Sequence, residues 1–278
     1  MRRARFSWWC LCVSTVAAFA APAFAAVEEQ ALQAQQAAAA RLIALVNEAG
    51  QAEGEQAARL KRLRTDEFVS LVEAVSDERR LIGSEPVPLA ESGRMFEVCN
   101  RAQGVMNAMV FFESGKGGQS NEKAEMDYDD PASIALIQRN VIVFQGELSR
   151  LQPFLLRCMA WLLPTIDAFV TGVAPEDLTS GQREGVRQLR AGVVMMYAGA
   201  IPTLAAESLG DDYKRAMLAA IVESADVYAA ASRLVDRKQI NDDLRSQRGK
   251  VPAAYVAGID RLIAAFSTTA CTGLCVIE

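Results

Sequence analysis

The chain contains no histidine. That absence removes His-ligated metal and haem sites, Ser-His-Asp triads and Cys-His pairs from the chemistry available to it. Proline is sparse, at nine in 278 residues, and aromatic side chains make up only 7%. No stretch alternates apolar and polar residues with period two between turn residues, so no strand is predicted. No internal repeat appears at a fixed period. Positive charge is in deficit, with 29 Lys+Arg against 34 Asp+Glu and a net charge of −5. An acidic balance of this kind argues against a nucleic-acid partner, which selects a basic face. What remains is a globular composition, 51% hydrophobic and 23% charged, long enough to bury a large core.

The first residues read as a secretory leader. Arg2, Arg3 and Arg5 form a positive start, residues 6–20 are uncharged and mostly apolar, and Ala23-Phe24-Ala25 gives the small-x-small pattern that signal peptidase cleaves. A signal peptide over 1–25 is expected, with cleavage between Ala25 and Ala26. Its removal takes three arginines and no acid, making the mature chain more acidic still. The expected destination is the periplasm or full secretion. Residues 191–206 are also uncharged, but a membrane-crossing helix needs about 20 apolar residues, and Pro202 interrupts the run. It reads as a buried core helix, so no membrane span is expected after the leader is lost.

Helical periodicity organises the rest. Residues 26–52 predict a leading amphipathic helix, with Leu32, Leu42, Ile43, Leu45 and Val46 inward. Residues 53–278 predict one domain, an all-α antiparallel bundle of about six or seven helices, among them one over 53–81 and one from about residue 212 to 245. Its clearest stripe runs Ile137, Val141, Phe144, Leu148, Leu151, Leu155, Cys158, Leu162, Ile166 and Phe169. Asp130 and Pro131 fit the N-cap and first position of that helix, and Pro153 predicts a break in it.

Four cysteines survive leader removal: Cys99, Cys158, Cys271 and Cys275. An even number in an exported protein suggests two disulfides, for which three connectivities exist. If the helices flanking the loop near 115–130 are antiparallel neighbours, Cys99 lies about 21 Å from the loop end. In an unbroken second helix Cys158 would lie about 40 Å from it, beyond disulfide reach. A reversal near Pro153 would bring the two together, so Cys99–Cys158 is expected to come with that break. Cys271 and Cys275 are near enough to join locally around Gly273.

Other motifs carry weaker chemistry. The acids of residues 121–130 fail the calcium-loop pattern, because a loop starting at Asp127 places Ala132 where glycine is required. Glu113-Ser114-Gly115 resembles the tripeptide around the catalytic acid of lytic transglycosylases and goose-type lysozymes. The Gly-Leu-Met-Gln stretch of those families is absent here. That resemblance implies a protonated Glu113 donating to a glycosidic oxygen. Leu178-Thr179-Ser180-Gly181-Gln182 resembles the LTxxQ motif of small periplasmic stress chaperones, which carry two copies. Read from the residues alone it is a capping box, Thr179 and Gln182 satisfying each other's backbone. The expectation is therefore an exported, non-catalytic helical binding or scaffold protein, without metal or cofactor, whose partner is a protein or envelope component. A glycan-cleaving enzyme using Glu113 and a holdase-like chaperone are the alternatives.

Overall fold

The computed structural model describes residues 28–83, 85–113, 130–174 and 177–277. The expected leader and its Ala25–Ala26 cleavage point lie outside them. The fold is an all-α helical bundle, with no strand among the described residues. The leading helix α1 (Glu29–Gln51) buries Leu32, Leu42 and Val46, with alanines between them. The stretch expected as one helix over 53–81 is instead three: α2 (Gln56–Leu63), α3 (Asp66–Val75) and α4 (Glu78–Leu81). Hydroxyl side chains mark both ends of α3. Thr65 accepts from the Phe68 N–H at 3.3 Å. Ser76 donates to Val72 O at 2.8 Å, a local bond that competes with continuing the helix. After a proline-bearing linker comes α5 (Ser92–Val110). The apolar face of α1 packs on α3 and α5. The fully buried Gln35 stitches the three together, donating to Val75 O at 3.2 Å and Val98 O at 3.0 Å.

The long apolar stripe forms two helices, α6 (Pro131–Val143) and α7 (Gln145–Gly172). Asp130 caps α6 as expected, accepting from Ser133 N–H at 2.9 Å, with Pro131 at its first position. The break is at Phe144, not at Pro153; α7 continues through both Pro153 and Pro164. Tertiary contacts decide this. The Phe144 ring meets Phe112 edge-on at 5.4 Å. Asn140, fully buried, donates to Val110 O at 3.0 Å and Phe112 O at 2.8 Å, satisfying carbonyls at the end of α5. The α6–α7 joint is thereby docked on the C-terminal end of α5, and α7 returns along α5. Pro153 then sits in a helix packed against α3, α5 and α9 (Asp211–Glu223), where burial offsets the roughly 3 kcal/mol proline penalty.

This joint explains the first cysteine pair. Cys99 lies 13 residues before Phe112 and Cys158 lies 14 after Phe144, each about 20 Å along its helix at ~1.5 Å per residue. Their Cα atoms are 5.8 Å apart and their sulfurs are at bonding distance, with neither residue exposed. The expected pair is brought to disulfide distance, with the reversal at Phe144 in place of Pro153. Cys271 and Cys275 form the second pair, with Cα atoms 5.3 Å apart.

Beyond α7, α8 (Ser180–Ala200) opens with the predicted capping box. Thr179 N–H donates to Gln182 Oε1 at 2.9 Å and Gln182 N–H donates to Thr179 Oγ1 at 3.2 Å. Its uncharged second half is not a buried core helix. Val193, Tyr197 and Ala200 face inward, while Ala191, Gly192, Met195 and Gly199 are exposed. The exposed face carries Ala191, Gly192, Gly199 and the large Met195 in place of charges, and α7 is the long apolar helix packed among its neighbours. The helix expected from about residue 212 to 245 is also divided, into α9, α10 (Ala225–Ala231) and α11 (Leu234–Arg248). Buried Ser224 and Ser232 stand at the two breaks and donate to Ala220 O and Tyr228 O, each at 2.6 Å. The last helix, α12 (Val256–Phe266), pairs with α11 and leans on α9 and α10.

Arg237 of α11 is almost wholly buried, with 2% exposed, and has no carboxylate partner among the described residues. Its donors reach Ser232 O at 3.0 Å, Ala230 O at 3.3 Å, Thr268 O at 3.0 Å and Ala270 O at 2.6 Å. These carbonyls lie at or just beyond the C-terminal ends of α10 and α12, where helix dipoles present partial negative charge. Burial still lowers the guanidinium pKa.

Candidate functional site

Glu113 sits just past α5 and is the one described non-glycine residue with positive φ, at 68°. That conformation costs on the order of 1 kcal/mol for an L side chain. Interactions around the carboxylate hold it there. One oxygen is ion-paired with Arg59; the other accepts from Arg139 at 3.0 Å and from Gln56 at 3.0 Å. Arg59 itself donates to Gly50 O at 2.8 Å and lies over the Phe112 ring. The adjoining cavity is only about 20 Å³, room for about one water and not for a sugar. Both oxygens thus serve the joint between α1, α2, α5 and α6. Ser114, Gly115 and residues 116–129, including most of the acidic loop, lie outside the described residues.

Glu113→Gln keeps the shape but leaves half-buried Arg59 without its counter-charge, and is expected to cost about 2 kcal/mol. Urea unfolding of the two proteins measures it; equal midpoints would remove the structural role.

The larger concavity is elsewhere. An open cleft of about 450 Å³ lies between α4, α7 and the α9–α10 junction. Arg157 forms its polar floor, with Nη1 2.7 Å from Glu78 and Nε 2.8 Å from Glu223. Burial works against that cation, but the hydrogen bonds and charges of Glu223 and Glu78 outweigh it and raise its pKa. Ile82, Val227 and Trp161 supply apolar wall. Trp161 is one helical turn after Arg157 on α7, and its Nε1 donates to Glu85 O at 2.7 Å. The indole lies so close to Gly83 that a Cβ there would sit 2.9 Å from it, so glycine lets ring and backbone meet. Arg79 adds a second cation to the lining.

The sequence reading missed this cleft. Arg157 and Trp161 lie four apart and off the main stripe, which is a detectable signal, but the partners of Arg157 are 79 and 66 residues away. Of the residues singled out from sequence, the structure brings the cysteines together in two pairs. It places Glu113 in an ion-pair network and Thr179 with Gln182 at a helix cap. The apolar face of α1 is covered by α3 and α5. Comparison with protein-family models, curated proteins and solved structures finds no match to this chain.

Proposed function

We propose that this is an exported, non-catalytic binding protein, periplasmic or secreted, whose ligand site is the Arg157–Trp161 cleft. The observation that carries the reading is that cleft: an aromatic wall beside a guanidinium fixed by two carboxylates. Concave, mostly apolar sites with a few placed polar groups are the common form of ligand pockets. Such a site suits an amphiphilic envelope component, with an apolar body against Trp161, Ile82 and Val227 and a polar group toward Arg157 and Arg79. Two cysteine pairs at disulfide distance fit an oxidising compartment, and residues 1–25 supply the expected export signal.

Two of the three tryptophans, Trp8 and Trp9, fall in the expected leader, so Trp161 is the single tryptophan of the leader-free chain and is read selectively by exciting tryptophan over tyrosine. Titrating an envelope extract and then its separated fractions into leader-free protein reads the cleft directly. A saturable change in emission is expected, abolished by Val227→Arg, which fills the cleft. A flat titration overturns the proposal. So does release of soluble glycan from peptidoglycan by wild type but not by Glu113→Gln, which would restore the enzyme.

A further inference from the structure

After α12 the chain runs as a strap over residues 267–277, packed on α7 and α10. Within it, Cys271 and Cys275 close a five-residue ring. Gly273 at the centre takes φ 56°, and a Cβ there would collide with the Asp167 carboxylate. Asp167 accepts from the next amide, Leu274 N–H, at 2.8 Å. The other side of the strap answers two buried cations. Arg190, 3% exposed, donates to Leu274 O at 2.9 Å and also to Ile277 O. Arg237 donates to Thr268 O and Ala270 O. Neither arginine forms an ion pair among the described residues; Arg190 feels the charge of Asp236 at longer range, and strap carbonyls accept from Arg190 and, alongside Ser232 O and Ala230 O, from Arg237. Burial lowers the pKa of both guanidinium groups.

The two cysteine pairs differ in access. Cys99 and Cys158 are fully enclosed, whereas Cys271 is partly exposed and only its partner Cys275 is buried. Cys271 is therefore the one cysteine of the four that solvent reaches with the fold intact, whereas the core pair is reached only after unfolding.

We infer that Cys271–Cys275 is a thiol–disulfide exchange site, and that a dithiol opening it releases the strap from Arg190 and Arg237. The chemistry balances. The attacking thiolate bonds to the Cys271 sulfur, the Cys271–Cys275 bond breaks, and its electron pair leaves on Cys275. The second sulfur of the dithiol then displaces Cys271. The dithiol is oxidised to a disulfide, and its two protons end on Cys271 and Cys275. Without the ring, nothing covalent holds residues 271–275 in the turn that aims Leu274 at both Asp167 and Arg190.

The test uses the full leader-free protein in native buffer with dithiothreitol as the dithiol. Alkylation and mass spectrometry follow each pair, and hydrogen exchange follows residues 268–277. The second pair is expected to open about 100-fold faster than the first. Strap amides, Leu274 and Cys275 above all, are expected to exchange about 10-fold faster or more once it opens. The Cys271→Ser, Cys275→Ser double variant should show the same fast strap exchange without reductant, with helical circular dichroism retained. Opening of both pairs at one rate overturns the inference. An opened or doubly substituted protein whose strap stays as protected as the oxidised form overturns it equally, as does mapping that finds Cys271 and Cys275 unbonded.

Discussion

Replacing Cys99 and Cys158 together with alanine is expected to lower stability by about 4 kcal/mol. The bond would close a loop of sequence separation 59, and the chain-entropy relation gives about 4 kcal/mol for a loop of that size against about 2 kcal/mol for the ring at Cys271. The site also sets α5 against α7, the contact on which the bundle is organised. For a chain of this size the thermal midpoint should fall by about 10 °C. Urea unfolding of the variant and wild type under oxidising conditions measures the difference. A loss below about 1 kcal/mol would mean that the two sulfurs are not bonded in the folded protein.

Arg237→Met should be comparably damaging through a different route. Methionine retains much of the buried stem but supplies no donor. Four backbone carbonyls from α10, its end and the strap then lose a charged partner in a site closed to water. Hydrogen bonds to charged groups contribute about 1.5–3 kcal/mol each, and an orphaned buried acceptor costs about 1–3 kcal/mol. Some of the carbonyls will relax toward solvent, so a net loss of about 3–5 kcal/mol is expected. Arg237→Lys keeps the charge without the planar fork and should fall between the two. Chemical denaturation ranks the three; a methionine variant as stable as wild type would show that the strap satisfies its own carbonyls.

Local sequence signals match the local structure. Asp130 with Pro131 and Thr179 with Gln182 cap helices as their spacing predicts, since both devices work within four residues. The apolar stripe from Val141 to Leu162 is the face that becomes the core. The breaks were harder to read. Proline is the familiar breaker, yet Pro153 and Pro164 are carried inside α7, while Ser76, Ser224 and Ser232 end helices by bonding to the carbonyl four residues back. A serine can make that bond inside a continuous helix as well, so tertiary contacts decide whether the helix ends there, and the local sequence does not encode them. The joint at Phe144 depends on Phe112 and Asn140, and Asn140 acts on carbonyls 28 and 30 residues away. Long separation hid the cleft as well, because Glu78, Arg157 and Glu223 share no motif. Glu113 was visible as a residue of interest, but its role was not, since the deciding neighbours Arg59 and Arg139 lie on other helices.

The bare outer side of α8 bears on how that helix exists at all. A Cβ at Gly185, Gly192 or Gly199 would meet nothing within 4 Å, so packing does not demand glycine there. Each glycine costs a helix about 0.8–1 kcal/mol relative to alanine. With Gly181 in the first turn there are four within 21 residues, which puts α8 well on the coil side of the helix–coil balance for an isolated segment. Its order is therefore borrowed from Val193, Tyr197 and Ala200 on the inner face and from the Thr179 cap. Detached from the bundle, α8 would be coil, and its folding and its docking are one event.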